Sequence, residues 1–199
     1  MLGESEAIVS SDRWWAYDHL DPTRRQVCWS HLLRDFRFHA ESPLAHQSEF
    51  GEACLLIAEG VFEAWREFQA DGDRRRLRRR MAPHERELRA LCEAGKRKSV
   101  KSRYHRGLAR NLVKVWPALW TFVEAEGVEP TNNRAERGLR HAVIYRKLSQ
   151  GSRSEDGALA TERLLSAAIS CRLQGRSLFA YLAGVAQASI RGQPAPALV

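Results

Sequence analysis

The sequence has no apolar run approaching the roughly 18 residues that a membrane-spanning helix needs. Its opening, MLGESEAIVSSDRWW, holds neither a basic leader nor an apolar stretch of signal-peptide type. A cytoplasmic location with no membrane partner is the expectation. Cysteine is scarce and scattered. Cys28, Cys54, Cys92 and Cys171 include no CxxC pair, which argues against both a zinc ribbon and a disulfide framework. Internal repeats and long low-complexity tracts are also missing. What remains is globular rather than disordered in composition, at 44% hydrophobic and 28% charged over 199 residues.

The balance of 32 Lys+Arg against 24 Asp+Glu gives a formal charge of +8, which by itself favours a polyanionic partner only weakly. Its distribution is more informative. Arg74, Arg75, Arg76, Arg78, Arg79 and Arg80 form one dense run, followed by Lys96, Arg97, Lys98, Lys101 and Arg103. A second group comprises Arg134, Arg137, Arg140, Arg146 and Lys147. Such residues could steer the chain to a phosphate backbone without reading base sequence. They could equally form a solvated helix face or loop.

Residues 7–11 (AIVSS) and 25–29 (RQVCW) read as short strands, with a brief helix over 13–20 and a turn at Asp21-Pro22 between them. Helical patterning then takes over, from His31 to about Phe38 and again from about 46 to 70. In the latter, Phe50, Cys54, Ile57, Val61, Trp65 and Phe68 make one apolar stripe. After the arginine run, a helical segment carries Leu88 and Leu91. A further one, from about 101 to 125, carries Leu108, Leu112, Trp116, Leu119, Trp120 and Val123, with a kink expected at Pro117. These stripes predict a small bundle with Trp65, Trp116 and Trp120 in its core. Thr131, Asn132 and Asn133 can each cap a helix running through Glu136 to about Tyr145. Residues 148–157 read as loop. A helix over 158–173 is expected to bury Leu159, Leu164, Leu165, Ala168 and Cys171, a last helix covers 177–190, and the tail is expected to be extended and mobile. Two short strands do not make a stable sheet, so they imply neighbours from upstream sequence or from a partner.

Two carboxylates stand out. Asp12 ends the first strand, where α/β sheets commonly place catalytic groups, although strand-end Asp residues also serve as caps and turn formers. Glu136 lies in the first turn of its helix among many cations, and could instead form a surface pair with Arg140. Together they suggest metal-dependent phosphodiester chemistry, in which two divalent ions about 4 Å apart activate the attacking oxygen and stabilise the leaving one. Mg²⁺ prefers carboxylate and phosphate oxygens, and two carboxylates are few for it. Cys28-x-x-His31 lacks a second ligand pair for structural zinc, but His31 near the carboxylates could bond a phosphate oxygen or a metal-bound water.

The segments SSDRWWAYDHL, RRQVCWSHLLRDF, TNNRAERGLRHAVIYRKLSQGSRSEDGA and ERLLSAAISCRLQGRSLFAYL, with RGQPAP, resemble the C-terminal half of transposases of the IS66 insertion-sequence family. The resemblance spans nearly the whole chain in order. It implies an α/β, predominantly helical chain: an incomplete RNase H-like core with an all-α insertion. Residues 1–40 would hold the last two core strands, 41–126 the insertion, 127–191 the helical C-terminal part of the core, and 192–199 a flexible tail. Asp12 and Glu136 would be the second and third acids of a DDE triad binding Mg²⁺ or Mn²⁺, with His31 beside them and Cys28 completing a Cys-x-x-His signature. Asn132, Asn133, Arg134, Arg137 and Arg140 would flank the glutamate on DNA, and the partners would be transposon ends and other transposase subunits. The resemblance further implies a bacterial protein, associated with the nucleoid when bound to DNA.

The first acid of the triad is expected well upstream of Asp12, and Glu4 and Glu6 precede the same strand instead of occupying another. The expectation is therefore a truncated, inactive transposase. The alternative is a non-catalytic helical module that binds DNA or a full-length transposase.

Overall fold

The computed structural model describes residues 7–149 and 151–198, so Glu4 and Glu6 lie outside the described residues. The chain divides into two compact units, residues 1–133 and 134–199. Among the described residues, helix predominates and no helix is long and apolar enough to cross a membrane.

The first unit opens with two short strands, β1 (Val9–Ser11) and β2 (Arg25–Val27), paired in parallel with Val9 opposite Arg25 and Ser11 opposite Val27. The brief helix expected over 13–20 is reduced to a 3-10 turn at Trp15–Tyr17, and a second such turn follows at Pro22–Arg24. The crossover is too short and too tightly tied for more. Its first residues are bent by the Asp12 carboxylate, which accepts the Trp14 N–H at 3.0 Å, and its end is capped by Asp21 on Thr23.

Helix α1 (Trp29–Ala40) buries Trp29, Leu32, Phe36 and His39, a stripe at helical spacing. Helix α2 (Ala45–Asp71) buries Phe50, Cys54, Ile57 and Val61 of its expected stripe and also Ala64, while Trp65 and Phe68 are half-buried. Gly72 ends it with φ +70, a left-handed conformation that favours glycine, and its N–H reaches the Phe68 carbonyl. Asp73 then caps the next helix, α3 (Arg74–Gly95), by accepting the Arg76 N–H. The arginine run is thus the first two turns of a helix. Leu77, set among the arginines, is buried together with Met81, Leu88 and Cys92.

The expected 101–125 segment is two helices, α4 (Arg103–Lys114) and α5 (Trp116–Glu124), separated at Val115. Pro117 starts α5 instead of kinking a continuous helix, because a missing N–H is harmless in a first turn. The helices and β2 enclose one core. Trp29 and Trp120 are buried in it at 5.2 Å between rings, and Trp65 and Trp116 pack partly buried against it.

β2 is wholly buried beneath α5. Thr121 Oγ1 donates to the Arg25 carbonyl at 2.6 Å, Gln26 accepts the Phe122 N–H at 2.8 Å, and Trp29 Nε1 donates to the Leu119 carbonyl at 2.8 Å. These bonds clasp α5 onto β2 and the start of α1. β1 has β2 as its one strand neighbour among the described residues.

The second unit contains α6 (Asn133–Leu148, which begins at the boundary), α7 (Glu155–Leu173) and α8 (Leu178–Ile190). The loop before α7 is shorter than expected because Ser154 caps the helix on Gly157. Of the five residues expected to be buried in α7, Cys171 is buried, whereas Leu159 and Leu164 are 43% and 53% exposed. Leu165 and Ala168 are only half-buried, and Ala167 takes the other buried place. The apolar stripe is real, but α8 is a short neighbour and covers little of it.

Candidate functional site

Asp12 directly follows β1 at its C-terminal end, and its placement is over-determined. Arg25, 2% exposed, donates from Nε to Ser11 Oγ at 2.8 Å and from one terminal nitrogen to the Asp12 carbonyl at 2.6 Å. Its other terminal nitrogen reaches the Tyr17 carbonyl at 3.2 Å. Burial pulls the Arg25 pKa below the usual arginine value, and the charges of Asp18 and Asp12 oppose that shift. A buried guanidinium therefore fixes the backbone on both sides of the site. The sequence offered no sign of this, since Arg25 reads there as the first residue of a short strand.

The Asp12 side chain opens into a pocket of about 340 Å³ lined also by Arg13, Trp14, His31, Arg34 and Asp35. His31 comes from the first turn of α1, which starts where β2 ends, so the β2–α1 junction brings it to the strand end. Arg13 spans the pocket wall. Its Nε donates to Asp35 at 2.9 Å, one terminal nitrogen pairs with Asp35 at 2.5 Å, and the other donates to Asn111 of α4 at 2.7 Å. Arg13, Arg34 and Asp35 are site residues that sequence reasoning missed; the partners of Arg13 lie 22 and 98 positions away.

Cys28 is fully buried and unlike a ligand in its surroundings: its Sγ accepts the Asn132 N–H at 3.4 Å. Beside it, the Trp29 N–H donates to the Pro130 carbonyl at 2.9 Å, and the Cys28 N–H to the Ser11 carbonyl at 2.8 Å. The Cys-x-x-His segment therefore ties β1, α1 and residues 130–132 together at the site end of the strands.

Glu136 belongs to the second unit, exposed in the first turn of α6, with Arg134, Arg137 and Arg140 exposed along the same helix. The structure thus brings Asp12 and His31 into one pocket, within the first unit. Among the described residues, no three His, Cys, Asp or Glu side chains converge as a metal site. One oxygen of Asp12 holds the Trp14 N–H and Asp35 is held by Arg13, so the pocket does not by itself supply the several oxygens Mg²⁺ requires.

The arginine run is largely engaged within the protein. Arg74 donates to the Phe122 and Val123 carbonyls at 3.1 and 2.8 Å, and Arg76 pairs with Asp71. Arg78 pairs with Glu124 at 2.7 Å, and Arg80 with Glu67 at 3.0 Å. Arg75 and Arg79 are exposed.

Compared with protein families, residues 1–160 match the one described as Transposase IS66 family, and the chain belongs to that family. No match was found among curated proteins or among solved structures.

Proposed function

We propose that the chain handles DNA as part of a transposition machinery, with Asp12 and His31 forming part of the strand-processing site. The observation that carries this reading is the pocket at the end of β1, where Asp12 and His31 meet in a chain of the IS66 transposase family. His31 is suited to bond a phosphate oxygen, and Arg34 on the next turn to offset phosphate charge. Arg25 is a positioning residue, holding the backbone that presents Asp12. Arg134, Arg137 and Arg140, with Asn132 and Asn133, are proposed to meet the DNA near Glu136, and Arg75 and Arg79 offer further backbone contacts.

In this reading the chain alone binds DNA without cutting it, and a divalent cation joins only where further carboxylates, Glu136 among them, come to Asp12. The test is a supercoiled plasmid incubated with the full chain and Mn²⁺ across a salt series. Retention at low salt, release at high salt and no nicks are expected. Nicking that disappears in Asp12→Asn would replace the incomplete-site reading with a complete one. No retention at any salt would end the DNA reading.

A further inference from the structure

A second groove adjoins the Asp12 pocket and shares Arg13 and Asp35 with it. It has a volume of about 430 Å³, and its other walls come from Phe38 at the end of α1 and from Arg103, Tyr104 and Gly107 on α4. On α1, His31, Arg34, Asp35 and Phe38 sit at positions i, i+3, i+4 and i+7, which is one helical face about 10 Å long. That face runs from the Asp12 pocket into the second groove. A single outward stripe therefore serves both cavities.

The chemistry of the stripe is unusual for a solvated surface. Phe38 and Tyr104 are 57% and 54% exposed, with their rings edge-on at 6.0 Å, and the Arg103 guanidinium lies 4.9 Å over the Tyr104 ring. Trp14, lining the first pocket, is 56% exposed, and Trp15 packs edge-on against it at 5.8 Å. Among the described residues of the first unit, these four are the exposed Phe, Tyr and Trp side chains. They all belong to this neighbourhood. Arg13 and Arg103 are the cations that line this groove. Helix α4 carries Arg103, Arg106, Arg110 and Lys114 and no acidic residue. On α1 the one acid is Asp35, already paired with Arg13.

Gly107 adds an independent sign. A glycine inside a helix costs about 1 kcal/mol relative to alanine. A Cβ at Gly107 would meet nothing within 4 Å, so no neighbour within the chain requires glycine there. The residue leaves the groove wall bare where something from outside can lie against the helix.

We infer that this groove is a binding track for single-stranded DNA leading to the Asp12 pocket, with unpaired bases stacked on Phe38 and Tyr104 and phosphates met by Arg103 and Arg34. The inference rests on the DNA-handling reading above and deepens it. An unpaired strand is favoured over duplex because stacking needs free base faces, which a duplex hides. Base stacking on aromatics is indifferent to base identity, and charge complementarity makes the binding salt-sensitive.

The test is fluorescence anisotropy of the full chain with a labelled oligo-dT and with a duplex of equal length, in EDTA so that strand cleavage is not involved. Tighter binding of the single strand is expected, weakened about tenfold by Tyr104→Ala. Gly107→Met should weaken it comparably while melting no lower than wild type, since methionine favours helix and meets no neighbour. Gln69→Ala, an exposed position on α2 that lines neither cavity, serves as a comparison and should leave the single-strand preference intact. Equal single-strand affinity in wild type, Tyr104→Ala and Gly107→Met would overturn the track. If duplex is bound all the same, the DNA-handling reading stands and only the track falls.

Discussion

At the scale of single residues, the first unit buries two of its polar groups with different consequences. Arg25 holds the strand end through three hydrogen bonds. His105 is 6% exposed, stacked on Phe50 at 4.0 Å, and neither ring nitrogen has a hydrogen-bond partner. Burial, with smaller contributions from the nearby His39 and His46, depresses its pKa to about 4. His39, also buried, is lowered by burial too, although Asp35 opposes this. A histidine whose folded pKa lies below its unfolded value of 6.5 stabilises the fold fully above pH 6.5 and loses that contribution as pH falls toward 4. The loss is on the order of 3 kcal/mol across that window. Thermal melts at pH 7.5 and pH 5 should therefore differ, and His105→Leu should remove much of the difference. An equal pH slope in variant and wild type would sink this account.

At the scale of elements, what the sequence revealed depended on whether an element's partner was written locally. Helix α2 was legible because its stripe repeats over many turns, and α8 was legible from its bounds. The helix holding Arg74–Arg80 was not, because arginines surround Leu77 and hide the apolar spacing. Asp12 and His31 could be picked out by position and resemblance, whereas Arg25, Arg13 and Asp35 gain meaning only from contacts distant in sequence. Glycines make the same point. Gly51 and Gly107 both sit inside helices and look alike in sequence. At Gly51, however, a Cβ would lie 2.1 Å from the Ala40 nitrogen, because α1 and α2 cross there backbone to backbone. Gly51→Ala should destabilise by about 3 kcal/mol in urea unfolding, through overpacking that no side chain can relieve. A gain of stability there would show that the helices are not so close.

At the scale of the whole molecule, the two units differ in how much they bury. The first encloses a continuous core of strand and helix residues. In the second, the buried residues among those described are Ala167 and Cys171, while Leu139, Leu148, Leu173, Phe179 and Ile190 are exposed. Helices with few buried apolar contacts open with small free energies. Amide hydrogen exchange should therefore be markedly faster in α7 and α8 than in α2 and α3. Equal protection across the two units would contradict the burial pattern. Finally, the bonds from α5 to β2 and the start of α1 join residues 90 or more positions apart: Arg25 to Thr121, Gln26 to Phe122 and Trp29 to Leu119. On the ribosome, the strands that carry the site are made before their clasp, which follows some 90 residues later. The site end must wait, unlatched, until the chain has emerged past about residue 125, and long-range closures of this kind are slow to form. Order of synthesis and order of assembly run in opposite directions here: the helical hairpin can form early, and the strand bearing Asp12 is set in place last.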